Sequence, residues 1–419
     1  MKVLVANNYY YLRGGCERVM FNDIKAMSDH GVDIVPFSAA DPDNDRTPYS
    51  DYFVPGADIR ATTLLGRAEA AVDAIHCGRT AQAFAKVLVE TRPDLVHCHN
   101  VYGRLSTSIL AVAKKHNVPV VLTVHDYKVV CPAYVMLKDG KPCSACIDGG
   151  YYRCAVNRCH KGQTAASIVY SIEAYWAKLT GNYGAVSAFL CPSHFIAGLL
   201  KQSGIVDKRV IYHANCVEPD DYAPSYEGKY VLSVGRLSHE KGLPTFLEAM
   251  LGTKIPVRVA GTGPMETELR EMAAKDGGSI VLEGHCSGNK LAELYRNAAF
   301  VVVPSEWYEN APMSILESFA YGKPVIGTRI GGIPELITEG EHGHLVDPGA
   351  KDQLRLAILR LWNDRAAQRD MGRSARRLVE TKFAQSPRTT SLLNIYNSVC
   401  DTGSRAAYPA DLLTNSSTR

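Results

Sequence analysis

The stretch EWYENAPMSILESFAYGKPVI, residues 306–326, decides how this chain is read. It follows AAFVVVPS (298–305), an apolar run of strand length. Such a run, without polar alternation, reads as a strand buried on both faces, as in a parallel sheet. Pro312 suits the first turn of a helix, where its missing N–H costs nothing, and Gly322 ends that helix. The amides from Ala311 to Ser314 then form the positive end of a helix dipole directly after a buried strand. That is a place for an anion or for sugar hydroxyls. Glu317 lies about one turn inside the helix, where a carboxylate can accept two hydrogen bonds from vicinal hydroxyls such as those of a ribose. Glu309 stands in the preceding loop. Taken alone, the two acids read equally well as a solvated helix residue and a loop residue.

Working outward, VLSVGRLSHEKGL (231–243) is a strand ending in Gly235, followed by Arg236 and then Lys241. Two cations in a glycine-bounded loop at the carboxyl end of a strand suit a diphosphate. The same alternation of apolar strand and helix runs through YVLSVGRL, IPVRVAG, SIVLEG, KPVIGT and GHLVDP. An earlier series contains KVLVAN (2–7), VDIVPFS (32–38), DLVHCHN (94–100), VPVVLTVHD (118–126), 185–191 and VIYHANCV (210–217). Helical spacing occupies 15–31, 64–91, 104–116 and 164–180. The expected architecture is α/β, with two doubly wound Rossmann-like domains facing a central cleft and ligands at the carboxyl ends of the strands. The expected domains are 1–217 with an insertion at 127–163, a polar linker at 218–229, and 230–384. A helix at 385–400 is expected to cross back, with a disordered tail at 401–419.

A chain of 419 residues exceeds one core, in line with two domains. No apolar run is long enough to span a bilayer, and the N-terminus reads as a strand rather than an export signal. The expectation is a cytoplasmic protein, with peripheral attachment at the inner face of the membrane as an option. The twelve cysteines are then thiols or metal ligands rather than disulfides. Net charge is +3, whereas residues 1–212 carry 23 Lys and Arg against 18 Asp and Glu. That mildly basic half suits an anionic acceptor or membrane surface, or is an ordinary solvated surface; nucleic acid is not an expected partner.

Together GRLSHEKG, GTGP (261–264), PSEWYENAPMSILESFAYGKPVIGT and GGIPELI (331–337) resemble the retaining glycosyltransferases of family 4, which have the GT-B architecture. GGCE and VHD of the first domain match more loosely. The resemblance implies that Arg236 and Lys241 hold the diphosphate of a UDP- or GDP-sugar donor and stabilise the leaving group without a metal. It implies Glu317 on the nucleotide ribose and Glu309 beside the donor sugar. Backbone amides of Asn310, Ala311, Pro312 and Met313 would line the sugar hydroxyls, although proline has no N–H to offer. It also places His125 against the donor sugar, with Asp126 to orient it. The segment NAP stands where the family more often has glycines. Gly14 and Gly15, at a strand-to-helix turn, allow close approach of a phosphate or acceptor, and His99 and Asn100 are acceptor candidates. The implied chemistry is a front-face transfer in which positioning and electrostatic stabilisation dominate.

The insertion holds Cys131, Cys143, Cys146, Cys154 and Cys159, with His160 next. The C-x2-C spacing of Cys143 and Cys146 suggests a tetrahedral thiolate site. The expected ligands of a structural zinc are Cys131, Cys143, Cys146 and Cys159, with Cys154 or His160 as substitutes; an iron–sulfur cluster, free thiols or a disulfide are the alternatives. Lys138, Lys141, Arg153, Arg158 and Lys161 make the segment basic and a candidate acceptor or membrane-contact loop. The functional expectation is hexosyl transfer from a sugar nucleotide to a glycan or lipid-linked acceptor in polysaccharide or cell-envelope synthesis. A GT-B epimerase, a transferase to a small soluble acceptor and a non-catalytic GT-B subunit are the rivals.

Overall fold

Strands that read as unbroken apolar runs must be covered on both faces, and two parallel sheets satisfy that demand. The computed structural model describes residues 1–57, 62–204 and 209–401. Apart from Asp401, the expected tail lies outside the described residues. The described residues divide into two compact units: those within 1–138, 143–213 and 389–401 form one, and those within 139–142 and 214–388 form the other.

The first unit carries β1 (Lys2–Asn7), β2 (Asp33–Ser38), β3 (Leu95–Cys98), β4 (Val120–Thr123) and β5 (Leu137–Lys138); β6 (Lys141–Pro142), the second arm of a short hairpin with β5, falls within 139–142. Strands β7 (Val186–Cys191) and β8 (Val210–Tyr212) follow. The sheet order is β2-β1-β3-β4-β7-β8, with every pairing parallel. Strands β3 and β4 are buried along their whole length. The order reverses between β1 and β3, so the loops that follow those strands diverge at their carboxyl ends. Asn8 sits in the first of these loops and donates its backbone N–H to the Asn100 carbonyl in the second at 2.7 Å.

The second unit carries β9 (Tyr230–Val234), β10 (Val257–Ala260), β11 (Ile280–Gly284), β12 (Ala298–Val303), β13 (Val325–Thr328) and β14 (Gly343–Val346). Its order is β11-β10-β9-β12-β13-β14, again all parallel. All six residues of β12 are buried, as the run AAFVVV demands. Here the reversal falls between β9 and β12.

Two local expectations change. The helical stretch 64–91 is two helices, Leu64–Ile75 and Gly78–Thr91. They part at His76, whose extended backbone (φ −153°, ψ 106°) ends the first, while the Cys77 amide donates to Ser106 Oγ at 3.2 Å. The insertion at 127–163 is built of turns, the β5–β6 hairpin and one short helix, Tyr152–Val156. Its root is a buried ion pair, Lys128 Nζ to Glu173 Oε2 at 2.5 Å. Lys128 Nζ also donates to the Pro132 carbonyl at 2.8 Å and lies 4.3 Å from the centre of the Tyr170 ring. The Lys128 pair therefore ties the insertion to the helix Thr164–Leu179.

The last helix, Gln385–Asp401, brings Leu392, Ile395, Tyr396 and Val399 into the core of the first unit, against Val3, Leu95 and Val121. His97 in β3 bridges Tyr396 Oη (2.7 Å) and Thr123 Oγ1 (2.8 Å), so a buried polar ring is paired at both nitrogens. Tyr396→Phe is expected to cost about 1 kcal/mol, the net worth of one hydrogen bond. Tyr396→Ala is expected to cost about 3–5 kcal/mol through the cavity it leaves. Urea unfolding of the two variants beside the parent checks that ranking.

Candidate functional site

The loop that leaves β9 runs through Gly235 and the exposed Arg236 into a single turn, His239–Lys241, and then Gly242. Gly242 has φ +65°, and a Cβ there would stand 1.9 Å from the Pro304 carbonyl oxygen. Only glycine allows this loop to lie against the end of β12. The two loops are stitched again where the Glu306 amide donates to the Glu240 carbonyl (3.0 Å) and Thr245 Oγ1 donates to Glu306 Oε1 (2.5 Å).

This contact places Lys241 Nζ 2.6 Å from Glu309 Oε1. The same oxygen accepts from Ser305 Oγ at 2.5 Å. Glu309 is buried, so its charge is met by a cation and a hydroxyl rather than by water. Lys241 also lies over the Trp307 ring, 5.2 Å from its centre. The Glu309 backbone is held from the other side. Gly331 (φ +59°) packs so close that a Cβ would meet the Glu309 carbonyl oxygen at 2.3 Å, and the Gly332 amide donates to that oxygen at 2.7 Å. The GGIPELI stretch thus serves as a backing plate for the loop that carries Glu309.

Asn310, Ala311 and Pro312 lead into the helix Met313–Ala320, with Pro312 at its N-cap. Asn215 Nδ2 donates to the Ala311 carbonyl at 3.1 Å and fixes the entry to the helix. The first amides of a helix have no intrahelical acceptor, so Met313 and Ser314 begin a donor-rich end next to Glu309. Glu317 is buried one turn further on and accepts from Tyr295 Oη at 3.0 Å. Arg236, Lys241, Glu309, Asn310 to Met313 and Glu317 therefore all belong to the two loops and the helix at the β9–β12 reversal.

In the first unit Gly14 and Gly15 open the helix Gly15–Asp29, with Glu17 buried beneath and hydrogen-bonded to Asn7 Nδ2 at 3.4 Å. His125 leaves β4 and its Nε2 lies 2.9 Å from His99 Nδ1, the rings stacked at 5.2 Å. The His99 ring in turn lies 4.2 Å from that of His97. Asp126 accepts from the Lys128 amide at 2.8 Å. Burial holds the row neutral: the His97 pKa falls to about 3, and those of His125 and nearby His213 to about 4. His99 is also well below the ordinary range, first through burial and then through its His97 and His125 neighbours.

Sequence reading missed Ser305 and Tyr295 and underrated His99 as the partner of His125. Ser305 ends the apolar run AAFVVVPS, four residues before Glu309, and that spacing is a signal the sequence carries. Tyr295 lies in a different helix from Glu317 and carries no local mark.

The zinc expectation finds no support. Cys131, Cys143, Cys146, Cys154 and Cys159 do line one small cavity of about 10 Å³. Among the described residues, however, no group of three or more His, Cys, Asp or Glu side chains is arranged to hold a metal ion. The five cysteines form no disulfide, and the Lys128–Glu173 pair holds the root of the segment.

Comparison with known proteins places this geometry. The family model "Glycosyltransferase Family 4" matches residues 13–221, and "Glycosyl transferases group 1" matches 218–378. The chain belongs to the GT-B glycosyltransferases of the family 4 type. It is 25% identical to sulfoquinovosyl transferase SQD2 of Arabidopsis thaliana over 72% of its own length and 56% of that protein. It is 23% identical to an uncharacterised glycosyltransferase of Methanocaldococcus jannaschii over 96% of its own length and 99% of the other. Among solved structures, sucrose-phosphate synthase from Thermosynechococcus elongatus superposes with a TM-score of 0.69 at 17% identity, over 95% of this chain and 98% of that one. Anabaena HepE in complex with UDP and glucose superposes with a TM-score of 0.66 at 16% identity, over 95% of this chain and 100% of that one. Among the described residues, no helix is long and apolar enough to cross a membrane.

The neutral histidines set an expected pH dependence. Unfolded histidines titrate near 6.5, so between about pH 6.5 and 4 the unfolded chain binds more protons than the native one. Stability is therefore lost as pH falls through that window, at up to about 1.4 kcal/mol per pH unit for each histidine. Asp126, raised to about 6 by burial, acts in the opposite sense below pH 6 and offsets part of the loss. Urea midpoints for the first unit's transition should drop between pH 7 and 5. A flat or rising midpoint contradicts this account.

Proposed function

We propose that the protein is a retaining hexosyltransferase that moves a sugar from a UDP- or GDP-sugar to a glycan or lipid-linked acceptor in polysaccharide or cell-envelope synthesis, working at the inner face of a membrane. The observation that carries the donor half is the buried Glu309 carboxylate, held by Lys241 and Ser305 beside the amino end of the Met313–Ala320 helix. An incoming diphosphate competes with Glu309 for the Lys241 ammonium, and the exposed Arg236 can take a second phosphate oxygen in forked geometry. In this reading Lys241 then serves the leaving group, and Glu309, released from part of its pairing, faces the sugar. Glu317, oriented by Tyr295, accepts from the ribose hydroxyls. Departing diphosphate is stabilised by fixed charges and helix amides without a metal at that position. His125 is a neutral hydrogen-bonding group at pH 7, positioned by His99.

Lys241→Ala and Arg236→Ala each remove one charge from the leaving group and are expected to cost about 2–4 kcal/mol of transition-state stabilisation. Calorimetry with UDP and GDP, and turnover with the sugar nucleotide that binds, give the readout. Unchanged affinity and rate in both variants defeat the donor-site assignment. Activity is expected to survive brief EDTA treatment; loss that magnesium restores contradicts the metal-free diphosphate site. Release of free, epimerised sugar without acceptor points instead to the epimerase.

A further inference from the structure

The helix Thr164–Leu179 is inside out. Its buried side carries Ser167, Ser171, Glu173 and Ala177. Ile168, Ile172, Trp176 and Leu179 stand in solvent at 43%, 48%, 42% and 82% exposure. At 3.6 residues per turn these four fall within an arc of about 80°, a continuous stripe. The short helix Tyr152–Val156 packs against it and exposes Tyr152 and Val156, one turn apart. The helix Leu64–Ile75, also packed against it, exposes two more apolar residues. Eight of the twelve exposed large hydrophobics among the described residues thus lie on three adjoining helices, which is a patch rather than scatter.

Charge chooses the occupant. From Tyr152 to Thr180 the only acid is Glu173, and it is buried with Lys128. The same stretch carries Arg153, Arg158, Lys161 and Lys178. Arg153 pairs with Asp148, whereas Arg158, Lys161 and Lys178 are exposed and form no ion pair among the described residues. An apolar stripe with a tryptophan and long cationic stems beside it matches the boundary between lipid headgroups and acyl chains. A second copy fits less well, because a two-fold contact sets the same unpaired cations against each other.

We infer that this face, formed by the helices Tyr152–Val156 and Thr164–Leu179, docks on an anionic lipid bilayer. It deepens the membrane location proposed above by naming the surface that makes contact. Membrane binding is read physically, so its failure leaves the donor-site assignment standing.

The test is co-sedimentation of the full chain with vesicles of phosphatidylcholine alone, or of phosphatidylcholine and phosphatidylglycerol in equal parts. Binding to the anionic vesicles is expected to be roughly tenfold or more the stronger and to weaken with salt. Ile172→Glu with Trp176→Glu, and separately Arg158→Glu with Lys161→Glu, are each expected to lose roughly tenfold of that binding. Both double variants should keep UDP or GDP affinity and the parent's thermal midpoint, which shows that they fold. Equal binding to both vesicle types, binding to neither, or unchanged binding by the variants overturns the proposal. So does a dimer in sedimentation velocity that Trp176→Glu dissociates, since that result assigns the stripe to a second copy.

Discussion

Parallel pairing of β9 with β12 is the constraint on which the proposed donor site depends. Val231 stands opposite Phe300 and Leu232 opposite Val301, and β10 and β13 flank the pair on opposite sides. Connections from the two strands therefore depart in opposite directions, which leaves a crevice at their carboxyl ends. The loop bearing Arg236 and Lys241 and the loop bearing Glu309 are the two that border it. Neither loop has a binding arrangement alone. Their contact, which glycine at 242 permits, sets Lys241 against Glu309.

Within that contact, a buried carboxylate is the demanding element. Leaving a buried charge without its partner costs about 3–5 kcal/mol, so Glu309 must be met from several directions at once. Lys241 and Ser305 meet the side chain, and Gly332 meets the backbone. The arrangement holds the acid ready yet leaves Lys241 partly exposed and free to exchange its partner. Glu317 is satisfied separately by Tyr295, so the two acids of the opening stretch are held by different neighbours. One is tied to the cationic loop, and the other is oriented inside the helix.

The first unit applies the same economy to neutral groups. His97, His99 and His125 form a row whose burial suppresses charge, and Tyr396 from the last helix closes one end of it. Beside this row the insertion is rooted by Lys128 and Glu173. That pair faces inward from the Thr164–Leu179 helix, and the outward face of the same helix is left apolar. The helix turns its polar side to the protein and leaves its apolar side exposed.

Much of this was legible in order along the chain. Unbroken apolar runs gave away parallel strands, since both faces of such a strand are covered. Pro312, Gly322 and the spacing of Arg236 and Lys241 marked loop and helix ends, since those features act within a few residues. The motifs of the second unit carried the family for the same reason. Other features depended on residues far apart in sequence. Lys241 meets Glu309 across 68 positions and Lys128 meets Glu173 across 45, and His97 meets Tyr396 across 299. The five thiols mark a limit of spacing. Their sequence pattern suited zinc and the fold gathers them around one cavity, but among the described residues no group of side chains is arranged to hold a metal. Sequence by itself determined the two α/β halves and the family, because these follow from local periodicity and short spacings. Tertiary structure alone decided which side chains answer Glu309, Glu317 and His125, and which face of the Thr164–Leu179 helix meets solvent, because sheet order and helix rotation set those neighbours.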